Sequence, residues 1–266
     1  MDSTEISSGK VRTGSAGAGR RSGLLIVNAD DWGRDRSTTD RTYECVIEGT
    51  VSAVSAMVFM EDSERGAAIA RERGIDAGLH LNFTTPFTGT GSFARLREHH
   101  EAVSRFLRRH RLAQGVFHPG LANSFEYVVT AQRDEYVRIF GTEPERLDGH
   151  HHMHLCLNVL LGGLLPSGTR VRRSFSFQRG DKGLWNRCYR KAVDRALARR
   201  HRITDFFFSL PPLAPPERLR KIFSLAAEFA VEVETHPINP EEYQFLVGGE
   251  MLRWAKLELS PEQSQA

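Results

Sequence analysis

"LLIVNADDWG" (residues 24–33) carries an apolar run straight into two aspartates and a glycine. A short run of this kind fits a strand buried on both faces, as found in parallel sheets covered by helices. Its acidic pair then falls at the strand's C-terminal end, where α/β folds place their chemistry. The fold therefore turns on whether the rest of the chain repeats the unit.

It does. "DRSTTDRTYECVIEGT" (35–50) reads as a helix ending near Gly49, and "SAVSAMVFM" (52–60) as a strand. "DSERGAAIARERG" (62–74) reads as a helix capped by Asp62 or Ser63, and "DAGLHLNF" (76–83) as the third strand. Residues 85–120 have weak periodicity and several Gly, Pro and His; they read as an insertion over the site with one helix near 95–110. Beyond it, helices are predicted over 123–141, 184–201 and 215–230. Strands are predicted from "ERLDGHHH" (145–152) and over 169–177, 204–210 and 231–237. Alternation repeated about seven times argues for parallel strands joined by right-handed crossovers. The expected fold is a distorted (β/α) barrel of about seven parallel strands, with an open doubly wound sheet as the alternative. Residues 23–260 are expected to form this single domain, between disordered tails at 1–22 and 261–266.

The composition excludes several classes. The 266 residues are 40% hydrophobic and 26% charged, with a formal net charge of +3, as in an ordinary globular protein. Arginine clusters at "RFLRRHR" (105–111) and "RALARRHR" (195–202) read as solvated helix faces, and without interleaved aromatics they give no reason to expect nucleic acid. Cys45, Cys156 and Cys188 form an odd set without CxxC spacing; each is expected as core filler in a reducing, cytoplasmic setting. No run of 18 apolar residues offers a membrane span, and the first 22 residues lack the apolar segment of a signal peptide.

Reading each strand to its end gives Asp30 and Asp31, then His80 and Asn82, then Asp148 and His150, and finally His236. Adjacent aspartates on a strand point to opposite sides and can hold different jobs; strand alternation likewise puts Asp148, His150 and His152 on one side and His151 on the other. A lone histidine in a strand is ordinarily a core or rim residue, but four strand ends delivering carboxylate or imidazole to one rim exceed what packing requires. One or two histidines of "DGHHHMH" (148–154) with a carboxylate make a mixed N/O donor set. Such a set suits Zn²⁺ or another first-row ion better than Mg²⁺. HExxH, GxSxG, P-loop and GxGxxG motifs are all absent.

Taken together, "NADDWG" (28–33), "GLHLNFT" (78–84), "DGHHHMH" (148–154) and "THP" (235–237) resemble the motifs of the YdjC-like carbohydrate deacetylases. The resemblance implies a distorted barrel that uses one divalent metal ion to hydrolyse the N-acetyl group of an amino sugar, releasing acetate. By motif matching it makes Asp31, His80 and His150 the metal ligands, Asp30 the general base and His236 the acid for the leaving amine. Around these, Asp148 is expected to orient a ligand histidine, and Asn82, His152 and His154 to line the pocket. Arg172 or Arg173 is expected to meet substrate hydroxyls or a phosphate, and Trp32 and Phe83 to offer a flat face to a sugar ring. The expected partner is an N-acetylated saccharide or glycoside, with a homodimer left open. Competing readings are another metal-dependent barrel hydrolase, acting on phosphoesters or cyclic amides, and a non-catalytic sugar-binding relative.

Overall fold

The computed structural model describes residues 23–91, 94–110, 112–176 and 184–259; the expected tails at 1–22 and 261–266 lie outside them. The chain alternates as β1 (Leu24–Trp32), α1 (Arg36–Ile47), β2 (Ala53–Ala56), α2 (Ser63–Arg73) and β3 (Ala77–Leu81). The insertion follows, with α3 (Ala94–Arg109) and two single 3-10 turns, and leads into α4 (Ala122–Phe140), β4 (Arg146–Gly149) and α5 (Leu157–Gly162). The second half comprises β5 (Arg170–Val171), α6 (Leu184–Ala198), β6 (Phe206–Ser209), α7 (Pro216–Leu225) and β7 (Ala230–Thr235). Two helices, α8 (Pro240–Val247) and α9 (Glu250–Leu259), come after the last strand.

The seven strands form one sheet in the order β5-β4-β3-β2-β1-β7-β6, and every pairing is parallel. Its two ends approach each other: Arg170 and Arg202 form a single bridge, and Ser176 N–H donates to Phe207 O at 2.8 Å. The sheet is thus a curled half-barrel, α/β throughout. Its central strand β1 is buried along Val27–Trp32, as its apolar run requires. Local chemistry fixes the helices: Asp35 caps α1 by accepting from Thr38 N–H, and Gly141 ends α4 in the left-handed conformation. Gly78 is the residue that lets β3 lie close to β4, because a Cβ there would sit 2.9 Å from Arg146 O.

Three strands end sooner than the sequence pattern predicts. β2 stops at Ala56, after a last ladder bond from Met57 N–H to Trp32 O, and Phe59 then adopts φ 59. β5 is two residues long because Ser174 N–H bonds the Asp194 carboxylate rather than a neighbouring strand. β4 ends at Gly149, and 150–155 wind into a 3-10 turn with His151 and His152 at φ 56 and 57. The expected strand alternation across the histidine tract is therefore wrong. Cys45 and Cys156 are core residues, whereas Cys188 is exposed and corrects the expectation for it. Among the described residues no helix is long and apolar enough to cross a membrane.

Candidate active site

The rim starts at the end of β1. Pairing with β2 slips between Ala29 and Trp32, and Asp31 takes the left-handed conformation at φ 66. Such a bulge re-aims a side chain. The two aspartates therefore do not diverge as alternation predicts. Both face His80 Nε2, Asp31 Oδ1 at 3.4 Å and Asp30 Oδ2 at 4.0 Å. The 3-10 turn after β4 brings His150 to the same place, with Nδ1 2.9 Å from Asp31 Oδ1. Arg34 holds the other oxygen, Asp31 Oδ2, at 3.0 Å.

His80 and Asp148 are register partners on β3 and β4, and His80 Nδ1 lies 2.6 Å from Asp148 Oδ1. A carboxylate accepts, so Nδ1 carries the proton and Nε2 is turned toward Asp31, the orientation an outer carboxylate gives a ligand histidine. Beneath this row sits Arg172, 1% exposed. Its guanidinium donates to both oxygens of Asp30 at 2.7 and 2.8 Å and to Glu232 at 2.7 Å. It also lies 2.8 Å from Asp148 Oδ2 and 3.3 Å from Glu234. Asn28 and Ser55 complete the network: Asn28 Nδ2 donates to Asp30 and to Ser55 Oγ, which donates to Asp148 Oδ2 at 2.5 Å.

The electrostatics follow from this packing. Burial alone would raise Asp30, Asp31 and Asp148, but Arg172 beside Asp30 and Asp148, and the histidines beside Asp31, hold all three below the usual carboxylate range. Burial would lower His80, yet the carboxylates of Asp30 and Asp148 push it up to about 10. Glu234 goes the other way: burial and the Asp30 charge push it up to about 9. His152, whose Nε2 is 3.6 Å from Glu234 Oε2, is lowered to about 3 by burial and Arg172.

Two atoms at the centre, Asp31 Oδ1 and His80 Nε2, are buried without a well-directed hydrogen bond, although His150 Nδ1 stands 2.9 Å from the first. Leaving such atoms unmet is costly, and a cation between them would satisfy both. The donor atoms of Asp31, His80 and His150 lie within 4.8 Å of one another, as do those of Asp30, His80 and Asp148. The second group is already spent on Arg172, Ser55 and the far nitrogen of His80, so the first fits an ion better.

Other predicted residues fall elsewhere. Trp32 and Phe83 are fully buried in the core and present no face to a sugar ring. Arg172 cannot meet substrate hydroxyls, because carboxylates enclose it; Arg173 is held by Asp194 and the Thr204 carbonyl. Asn82 ties its own loop together, accepting from Thr84 N–H and Thr85 N–H and donating to Thr85 O. His154 points inward to Arg172 O at 2.9 Å. His236 follows Thr235, which pairs with Ala29, so it reaches the rim beside Asp30; its N–H donates to Glu242, and no hydrogen bond ties its ring to the cluster among the described residues. Sequence reasoning missed Glu232 and Glu234. Their signal was the alternation "VEVE" on a strand buried on both faces, which turns both carboxylates to one side.

Comparison with known proteins gives the same direction. A chitooligosaccharide deacetylase of Serratia marcescens is 31% identical over 137 residues, 50% of this chain and 51% of the relative. A carbohydrate deacetylase of Vibrio cholerae is 25% identical over 221 residues, 80% of this chain and 77% of the relative. The chain spans about half the length of the first curated relatives it matches. A crystal structure from Enterococcus faecalis, described as a cellobiose-phosphate cleavage protein, superposes with a TM-score of 0.64 at 16% identity. It covers 90% of this chain and 95% of that one, and shows the shared fold. The sequence profile of the family described as YdjC-like protein matches residues 24–250, every strand of the barrel and all the rim residues included. By that match the chain belongs to the YdjC-like family.

Proposed function

We propose that this protein is a metal-dependent hydrolase that removes the N-acetyl group from an amino sugar and releases acetate. The observation that carries this reading is the convergence of one ligand atom each from Asp31, His80 and His150, all within 4.8 Å of one another, beside the anchored carboxylate of Asp30. Curated relatives named as chitooligosaccharide and carbohydrate deacetylases support the substrate class.

Asp31, His80 and His150 would hold one divalent ion, and two imidazoles with one carboxylate favour Zn²⁺ or another first-row metal over Mg²⁺. When bound, such an ion polarises an acetamide carbonyl and acidifies water. Asp30 takes the proton of the attacking water. Arg172 grips both its oxygens and Asn28 takes a second lone pair of Oδ1, so the carboxylate stays ionised and fixed in plane while Oδ2 keeps a lone pair for the proton. Asp148 holds the His80 ring in place through Nδ1. His236, on the backbone anchored by Glu242, gives a proton to the departing amine.

The test is acetate release from diacetylchitobiose by purified protein, before and after chelation and after reloading with Zn²⁺. Asp30→Asn is expected to lower kcat by about a thousandfold while metal content measured by elemental analysis is unchanged. Full activity in that variant, or activity indifferent to chelation, would sink the reading.

A further inference from the structure

The arginines of α3 are exposed, as expected of a solvated face, but four of them border one cavity. Arg97, Arg105, Arg108 and Arg109 line an open cavity of about 1150 Å³ between α3 and the loop after β3, with Glu101 as the single carboxylate on its wall. Among the described residues none of these four guanidinium groups has an ion pair or hydrogen bond. Among the described residues, exposed arginines without a partner also occur elsewhere, as at Arg71 and Arg73; what sets these four apart is the cavity they share. Spacing at i, i+8, i+11 and i+12 sets the four along one side of the helix over about 18 Å.

The cavity also leads to the rim. A second depression of about 400 Å³ shares Thr84, Pro86 and Arg108 with it and ends on His151. His151 Nδ1 lies 3.0 Å from Thr84 Oγ1, and its ring centroid lies 4.0 Å from that of His150. On the far side of His151 a smaller hollow of about 190 Å³ is lined by Phe175, Tyr189, Asn186 and Gln114, the aromatic and amide groups that suit a sugar ring. The two sides of the rim therefore differ in chemistry. A neutral saccharide has no use for a row of unpaired guanidiniums, whereas phosphate oxygens match their paired N–H groups. Two guanidiniums satisfy one phosphate; a row of four calls for more than one.

We propose that the substrate is an N-acetyl amino sugar bearing a diphosphate, with the sugar at His150 and His151 and the diphosphate laid along the α3 trough. This rests on the deacetylase reading and narrows its substrate class. Pyrophosphate titrated calorimetrically into chelator-treated, metal-free protein should bind, and Arg105→Gln/Arg108→Gln should weaken it about tenfold or more. Equal affinity in the double variant, or no binding by the wild type, overturns the proposal. With the metal-loaded enzyme, acetate release is compared among diacetylchitobiose and N-acetylglucosamine joined through diphosphate to uridine or to farnesol. The ratio of kcat/KM for a diphosphate substrate to that for diacetylchitobiose should fall about tenfold in the double variant, and the better conjugate identifies a nucleotide or a lipid source. An unchanged ratio overturns the proposal. Arginine-dependent pyrophosphate binding without acetate from any sugar would instead refute the deacetylase reading and leave the anion trough standing.

Discussion

A guanidinium removed from water needs acceptors for its N–H groups, and Arg172 finds them on Asp30, Asp148, Glu232 and Glu234. Removing one partner of such a group leaves the remaining charges buried and uncompensated. Arg172→Met is therefore expected to destabilise the fold by about 3–5 kcal/mol, measured by urea unfolding; a loss under about 1 kcal/mol would mean that the carboxylates are relieved some other way. Of the seven residues the strand-end reading singled out, the structure brings Asp30, Asp31, His80, Asp148 and His150 together and leaves Asn82 and the His236 ring outside the cluster. Arg172 was legible as a residue and illegible as a hub. A pair of arginines ending a strand looks like surface charge until the acids that enclose it are known, and two of those acids lie on another strand 60 and 62 residues away.

At the level of elements, order and type were readable because apolar runs and helical periodicity extend over many residues. Ends were not. The switch from strand to turn at Gly149 depends on left-handed His151 and His152, and sequence flags that conformation strongly only at Gly. Close approach is similarly hidden. Gly78→Ala puts a methyl against the β4 backbone and should cost about 1–3 kcal/mol in an unfolding titration, although the residue lies mid-strand and carries no chemistry. Helix α3 offers a pH-dependent test. His100 is buried against Phe87, ring centroids 4.4 Å apart, and burial lowers it from 6.5 to about 4. Protons then bind the unfolded chain more readily than the folded one, so its contribution to stability is complete above pH 6.5 and fades as pH falls toward 4. His100→Phe, which cannot titrate, should flatten the acid side of the stability profile in that window by up to about 1.4 kcal/mol per pH unit. Identical slopes in the two proteins would discount the residue.

The whole barrel was predictable from seven repetitions of one unit, whereas α8 and α9 were not, since they follow the last strand and lie outside that repeat. An ion held by Asp31, His80 and His150 would link β1, β3 and the turn after β4, and a ligand bound only by the folded state stabilises it. Chelation is accordingly expected to lower the melting temperature reversibly, with Zn²⁺ restoring it in differential scanning calorimetry; a melting temperature indifferent to both would remove the ion from the folded state. The clamp around Arg172 has a kinetic consequence as well. Its partners are drawn from opposite ends of the chain, Asp30 lying 142 residues away, so it can close only after most strands have found their neighbours. Interactions absent from the folding transition state act on the rate of opening and not on the rate of assembly. Stopped-flow chevrons of Arg172→Met should then show a refolding arm superimposed on the wild type and an unfolding arm displaced upward, marking this guanidinium as a latch that shuts last and governs how long the native barrel lasts.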